Sequence, residues 1–208
     1  MGGTGHSDQQ PGTDYEWAYP ISPNKAYYLK SFQNISARTT TAQKIVPLNA
    51  GLWTAFTFDN AGQYYRNYRQ YLEDDGRLRK HDQILEKLNL NAEELLMEWV
   101  DTEMGLFATA GKDGHANQVA YLSYRDEETA RKKLDLMADS DFIDGYRGVI
   151  IKKMASENAL PRFYGPVFQG FHFPYFFVSD GFVIFSENPA MLKGVINDLL
   201  DGKTLVCQ

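Results

Sequence analysis

Several stretches of the chain place apolar side chains at a fixed interval, and these intervals predict its elements. From Gly51 the run GLWTAFTF alternates, with Leu52, Phe56 and Phe58 on one side and Trp53 and Ala55 on the other. That period, with its β-branched and aromatic content, predicts a buried strand. Asp59 or Asn60 stands where a helix cap is needed. Ala61, Tyr64, Tyr65, Tyr68, Tyr71 and Leu72 then recur at helical spacing until Gly76 interrupts them. A second helix is predicted through Leu78, His81, Ile84, Leu85 and Leu88. A third opens at Asn91 with Glu94 three residues on, a capping-box arrangement, and buries Leu95, Leu96, Trp99 and Val100.

Two strands follow, over 103–109 and 118–124, joined by the turn-rich AGKDGHAN as a hairpin. Asp126 caps a helix whose Ala130, Leu134 and Met137 share a stripe, and YRGVIIKK predicts one strand over 146–153. Tyr175–Ser179 and Phe182–Ser186 flank Asp180-Gly181, a two-residue turn suited to positive φ and the strongest hairpin signal in the chain. Asn188 caps a last helix with Pro189 at its first position, an apolar stripe from Met191 to Leu200, and Gly202 at its end.

Residues 1–25 read as a flexible tail and lead-in. A possible first strand lies over 26–32, and SARTTTAQ reads as a linker or exposed loop. Residues 26–208 are expected to form a single α+β domain, a mostly antiparallel sheet with helices on one face. Its order is ferredoxin-like, a split βαβ, extended by the C-terminal β-hairpin and helix.

The chain has 208 residues, 43 % apolar and 23 % charged, which is enough for a real core, and no apolar run nears the ~20 residues that cross a bilayer. Net charge is −6 with no basic cluster, which makes nucleic acid an improbable partner. Cys207 is the one cysteine, so no internal disulfide and no cysteine-rich zinc site is expected. The start MGGTGHSDQQPGTD carries no apolar stretch of the kind a signal sequence needs.

Chemistry-bearing motifs are few. His6, His81 and His115 fall in distant segments, and no metal site or cofactor is expected from them. Asp139, Asp141, Asp144 and Gly145 suggest a calcium loop, but Ile occupies positions 143 and 150, where further acids would be needed. An acidic helix-to-strand turn is the preferred reading. Ser22-x-x-Lys25 has the spacing of some acyl-transfer serines, but Pro23 argues against the helix that this chemistry needs. Gly-x-Ser-x-Gly, His-Glu-x-x-His, P-loop and dinucleotide glycine patterns do not occur.

The compositional signal is aromatic, since ten Phe and Tyr residues fall between Phe163 and Phe185. Flat rings stack on sugars and anchor protein interfaces, so Phe171, His172, Phe173 and Tyr175 are the candidate binding residues, for a protein or glycan partner. The alternative is that this loop folds back as a lid on the core. His172 among aromatics also admits a general base, oriented by Asp180 or Glu187, in a hydrolase-like enzyme.

The runs VPLNAGLWTAFTFDNAGQYYRNYRQYL, LLMEWVDTEMGLFATAG, YLSYRDEETARKKLDLM, GYRGVIIKKM and YFFVSDGFVIFSENPAMLKGVINDLLDGKTL together resemble a Bacteroidetes-type family of large bacterial envelope proteins whose function is unknown. The resemblance covers about residues 26–205. It implies an α+β module within a much longer chain, located in the periplasm or at the cell envelope. Membrane attachment would come only through a segment absent from this chain. It carries over no catalytic residue. The reading from sequence is therefore a non-enzymatic binding or scaffolding module, with the His172 enzyme as its rival.

Overall fold

The computed structural model describes residues 27–87, 97–110 and 116–206. Seven strands form one sheet: β1 Ala50–Thr57, β2 Val100–Ala110, β3 Ala116–Tyr124, β4 Ala138–Tyr146, β5 Val149–Met154, β6 Tyr175–Ser179 and β7 Phe182–Ser186. They lie in the order β1-β2-β3-β7-β6-β5-β4, with every neighbouring pair antiparallel. Among the described residues five α-helices accompany them: α1 Ala61–Asp74, α2 Leu78–Lys87, α3 Glu127–Asp135, α4 Ala159–Tyr164 and α5 Pro189–Leu200. The fold is α+β, as the pattern predicts.

Alternation along the strands divides the core in two. Met104, Leu122, Phe176, Val178, Val183 and Phe185 turn to the face covered by α1 to α4, whereas Phe107, Tyr121, Ile151, Phe177, Phe182 and Ile184 turn to the other. Leu192, Val195 and Ile196 of α5 close that second face, together with Ala42, Ile45 and Val46. Helices thus cover both faces, which corrects the one-sided arrangement. Strands whose central residues are apolar on both sides need a cover on each.

The ferredoxin-like order is not what the pairing gives. In a split βαβ the strands on either side of the first helix run parallel with another strand between them, but here β1 and β2 are hydrogen-bonded antiparallel neighbours, Trp53 opposite Phe107. β1 is also an edge strand, not a buried one: Leu52 is 60 % exposed. The predicted strand over 146–153 is β5 from Val149 on; Tyr146 ends a separate strand, β4, which the pattern did not predict. Arg147 (φ 50°) and Gly148 (φ 84°) form a tight turn between β4 and β5, the same conformation as Asp180 (φ 52°) and Gly181 (φ 85°) between β6 and β7. An Arg-Gly pair signals such a turn weakly, because it is the Asp or Asn that marks it. Residues 28–32 form a 3-10 turn rather than a strand, since Tyr28 and Phe32 fall on one side and pack against α1.

The caps read from sequence are in place. Asn60 Oδ1 accepts from the Gln63 amide at 2.9 Å, Asp126 Oδ2 from the Thr129 amide at 2.7 Å, and Asn188 Oδ1 from the Ala190 amide at 2.9 Å. Residues 91–96 of the Asn91 helix, most of the 110–117 turn, His6, His115, Ser22 and Lys25 lie outside the described residues; Trp99 and Val100, which the pattern gave to that helix, are buried but not helical, and Val100 begins β2.

Candidate functional site

α1 and α2 are joined by a short turn and fastened by a forked ion pair in which Arg69 donates twice to the Asp82 carboxylate, at 2.6 and 2.9 Å. The inner face of α1 presents Tyr64, Tyr65, Tyr68 and Tyr71, one or two helical turns apart. Two of their hydroxyls reach outward to α4: Tyr64 donates to the Tyr164 carbonyl at 2.7 Å, and Tyr68 to the Arg162 carbonyl at 3.0 Å. Burial pushes the Tyr64, Tyr68 and Tyr164 phenols well above their usual range, so they stay neutral.

Segment 158–172 folds over this helical pair. Asn158 (φ 56°) begins α4, and Phe163, Tyr164, Phe168 and Phe171 are all buried in the first core. This part of the aromatic run is a lid on the core. Gly165 (φ 104°) lets the chain pass against the Tyr28 ring, where a Cβ would collide with it.

Between the lid and the helical pair lies a cleft of about 370 Å³. Tyr68 and Leu72 of α1, with Pro161 and Pro166 of the lid, supply apolar wall, and Arg77, Lys80, His81, Arg162 and His172 supply polar and basic groups. Among the described residues no carboxylate lines it. Arg77 is partly committed: it pairs with Asp75, donates to the Tyr71 hydroxyl at 2.6 Å and lies 5.3 Å from that ring's centre. Among the described residues, Lys80 and Arg162 make no side-chain ion pair or hydrogen bond.

His81 forms part of the cleft wall and is 3 % exposed. Its Nε2 lies 2.9 Å from the Tyr65 hydroxyl. Which of the two groups donates depends on the imidazole tautomer. Nδ1 is buried and closes no hydrogen bond, although the Arg162 carbonyl lies alongside. Burial lowers the imidazole below its ordinary value, a shift that the Asp82 carboxylate only partly opposes.

The four residues proposed from sequence do not form one surface. Phe171 is 1 % exposed and belongs to the core, which removes it as a contact residue. His172 is exposed and borders the cleft, its Nδ1 2.9 Å from Asn158 Oδ1, while the Asn158 amide donates to the His172 carbonyl at 2.7 Å. Phe173 is 41 % exposed and shares Lys153 with Tyr175, the ammonium lying 5.6 and 5.7 Å from the two rings. Tyr175 leans on Phe142 against the second core. The lid's reversal at Gly170 (φ 109°) and the strand alternation that follows send these neighbours in different directions.

His172 is thus oriented by an amide and not by an acid. Asp180 sits at the far turn of the β6–β7 hairpin, where it accepts from Ser179 at 2.6 Å. Among the described residues no group of three or more His, Cys, Asp or Glu side chains is placed to share a metal ion. Asp139, Asp141 and Asp144 lie on strand β4 and not in an acidic turn, and Asp144 pairs with Lys193 of α5 at 2.7 Å. No helix among the described residues is long and apolar enough to cross a membrane.

The sequence reading passed over Arg77, Lys80, Asn158 and Arg162. Each falls on a polar position that a hydrophobic pattern treats as solvated surface, and only the lid's fold brings 158–172 against 68–81. No protein-family description matches the chain, and comparison with curated proteins and with solved structures gives no significant match.

Proposed function

We propose that this chain is a non-enzymatic binding module of a larger cell-envelope protein, and that it binds through the cleft between α1, α2 and the lid. The cleft itself carries the reading. It has the volume of a small-molecule site, apolar walls and a few convergent polar groups, and it is built on rigid helices. The envelope setting rests on the resemblance of the strand and helix runs over 26–205.

The rival reading, catalysis by His172, lacks its second member, because the ring is held by the Asn158 amide, which cannot stabilise an imidazolium as a carboxylate does. A protein or glycan partner on the aromatics is left with Phe173 alone as a well-exposed ring, too small a platform to anchor one.

A screen of a small-metabolite library against the ¹⁵N-labelled chain tests the proposal. Saturable shifts are expected at the amides of Lys80, Arg162, Gln169 and Gly170. Shifts confined to Phe173 and its neighbours, or turnover of a library member that disappears in His172→Gln, would overturn it.

A further inference from the structure

We infer that the cleft recognises a small organic molecule bearing a phosphate group, with Lys80 and Arg162 as its charge partners; this rests on the cleft being the binding site. The chain carries 27 acids against 21 Lys and Arg, yet this hollow gathers three of those bases with no acid on its wall among the described residues. Of these, Lys80 and Arg162 carry no counter-charge; like charges so placed repel one another, and an anion relieves that repulsion.

Arg77 is already neutralised by Asp75 and steadied by Tyr71. Lys80 and Arg162 therefore set the charge on offer, two positive units lining one cleft from α2 and from the lid. A phosphate monoester dianion matches that pair, whereas a single carboxylate would leave one cation uncompensated. The guanidinium of Arg162 gives the forked donor geometry that phosphate oxygens accept, and Lys80 adds a mobile point charge.

The unpartnered polar atoms point the same way. His81 Nδ1 is a buried ring nitrogen that closes no hydrogen bond, and the exposed residues Gln169 and Gly170 line the same cleft. The phosphate group fills only part of about 370 Å³, and Tyr68, Leu72, Pro161 and Pro166 leave apolar surface for the rest of the molecule.

The test is a titration of the ¹⁵N-labelled full chain with glycerol 3-phosphate and with inorganic phosphate, at ionic strength held constant with sodium chloride. Acetate serves as the monoanion, maltose as a neutral probe, and phosphatidylglycerol vesicles as a lipid source of phosphate. Both soluble phosphates are expected to shift the Lys80, Arg162, Gln169 and Gly170 amides to saturation. K80Q and R162Q, each with an unchanged circular dichroism spectrum, should weaken binding about tenfold, or 1.4 kcal/mol.

The inference fails if acetate or chloride produces the same shifts, if the two variants titrate like the parent, or if only the vesicles bind. Maltose moving those amides while the phosphates do not would sink the phosphate assignment and leave the binding module standing. A cleft that answers to no phosphate probe overturns the inference alone, since the library screen judges the binding reading separately.

Discussion

His81 carries an ionisable ring into a site that is 3 % exposed, and burial favours its neutral form. Folding therefore depends on pH in a definite direction. Above the ordinary histidine value of about 6.5 both folded and unfolded chains hold the ring neutral, and the site contributes no pH dependence. As pH falls through that value the unfolded chain takes up a proton, and the folded chain does not until its own lowered value is reached. The unfolded state then binds more protons, so stability drops over that window. The urea midpoint is expected to fall between pH 7.5 and 5.5, and the fall should flatten in His81→Gln. Equal slopes in the two proteins would show that another group titrates there. Asp126 and Asp201 are held below the usual carboxylate range, the first by Thr129 and the second by Lys203 and Arg147. Their contribution is present above the unfolded carboxylate value and disappears in more acid solution, so the His81 window stands apart from it.

At the level of elements, the polar run read as a linker has a fixed anchor. Glu103 lies on β2 and is 1 % exposed, and its carboxylate accepts from the Thr40 hydroxyl, from the Thr41 amide at 2.8 Å and from the Tyr121 hydroxyl at 3.3 Å. Trp53 Nε1 donates in turn to Tyr121 at 2.8 Å, so β1, β2, β3 and the approach to β1 share one polar knot. Glu103→Ala would leave buried donors unmatched and is expected to destabilise the fold by about 3 kcal/mol. Glu103→Gln, which keeps one acceptor, should lose less; denaturant midpoints of the pair decide it, and equal losses would mean that the carboxylate acts only by filling space. The knot was invisible in the sequence because Glu103 and Thr40 are 63 residues apart, and because an acid in a strand reads as solvated edge. Local signals fared otherwise. Asn60, Asp126 and Asn188 cap helices within three residues of themselves, and Asp180-Gly181 turns the chain within two. Elements set by such short-range chemistry were legible. The order of strands, the lid and the cleft depend on which distant surfaces meet, and a hydrophobic period does not carry that.

For the whole molecule, the consequential feature is that one sheet serves two cores. Each central strand contributes alternate side chains to both, as Val183 and Phe185 do to the first and Phe182 and Ile184 to the second. A loss of packing on either face loosens the same backbone ladder, so the two faces should open together. Leu160 of α4 and Leu192 of α5 are both fully buried, on opposite sides of the sheet. Truncating either to Ala removes a buried side chain and leaves a cavity, a cost of about 2 to 5 kcal/mol. Native-state hydrogen exchange on Leu192→Ala distinguishes the alternatives. If the sheet couples the faces, the most protected amides of α1 and of β3 exchange faster by the same free energy as those of α5, and Leu160→Ala repeats the pattern from the other side. Acceleration confined to α5 and the 42–46 segment would instead mark the second face as a separately opening layer. The cleft, which stands wholly on the first face, would then keep its phosphate response in Leu192→Ala even where α5 is frayed.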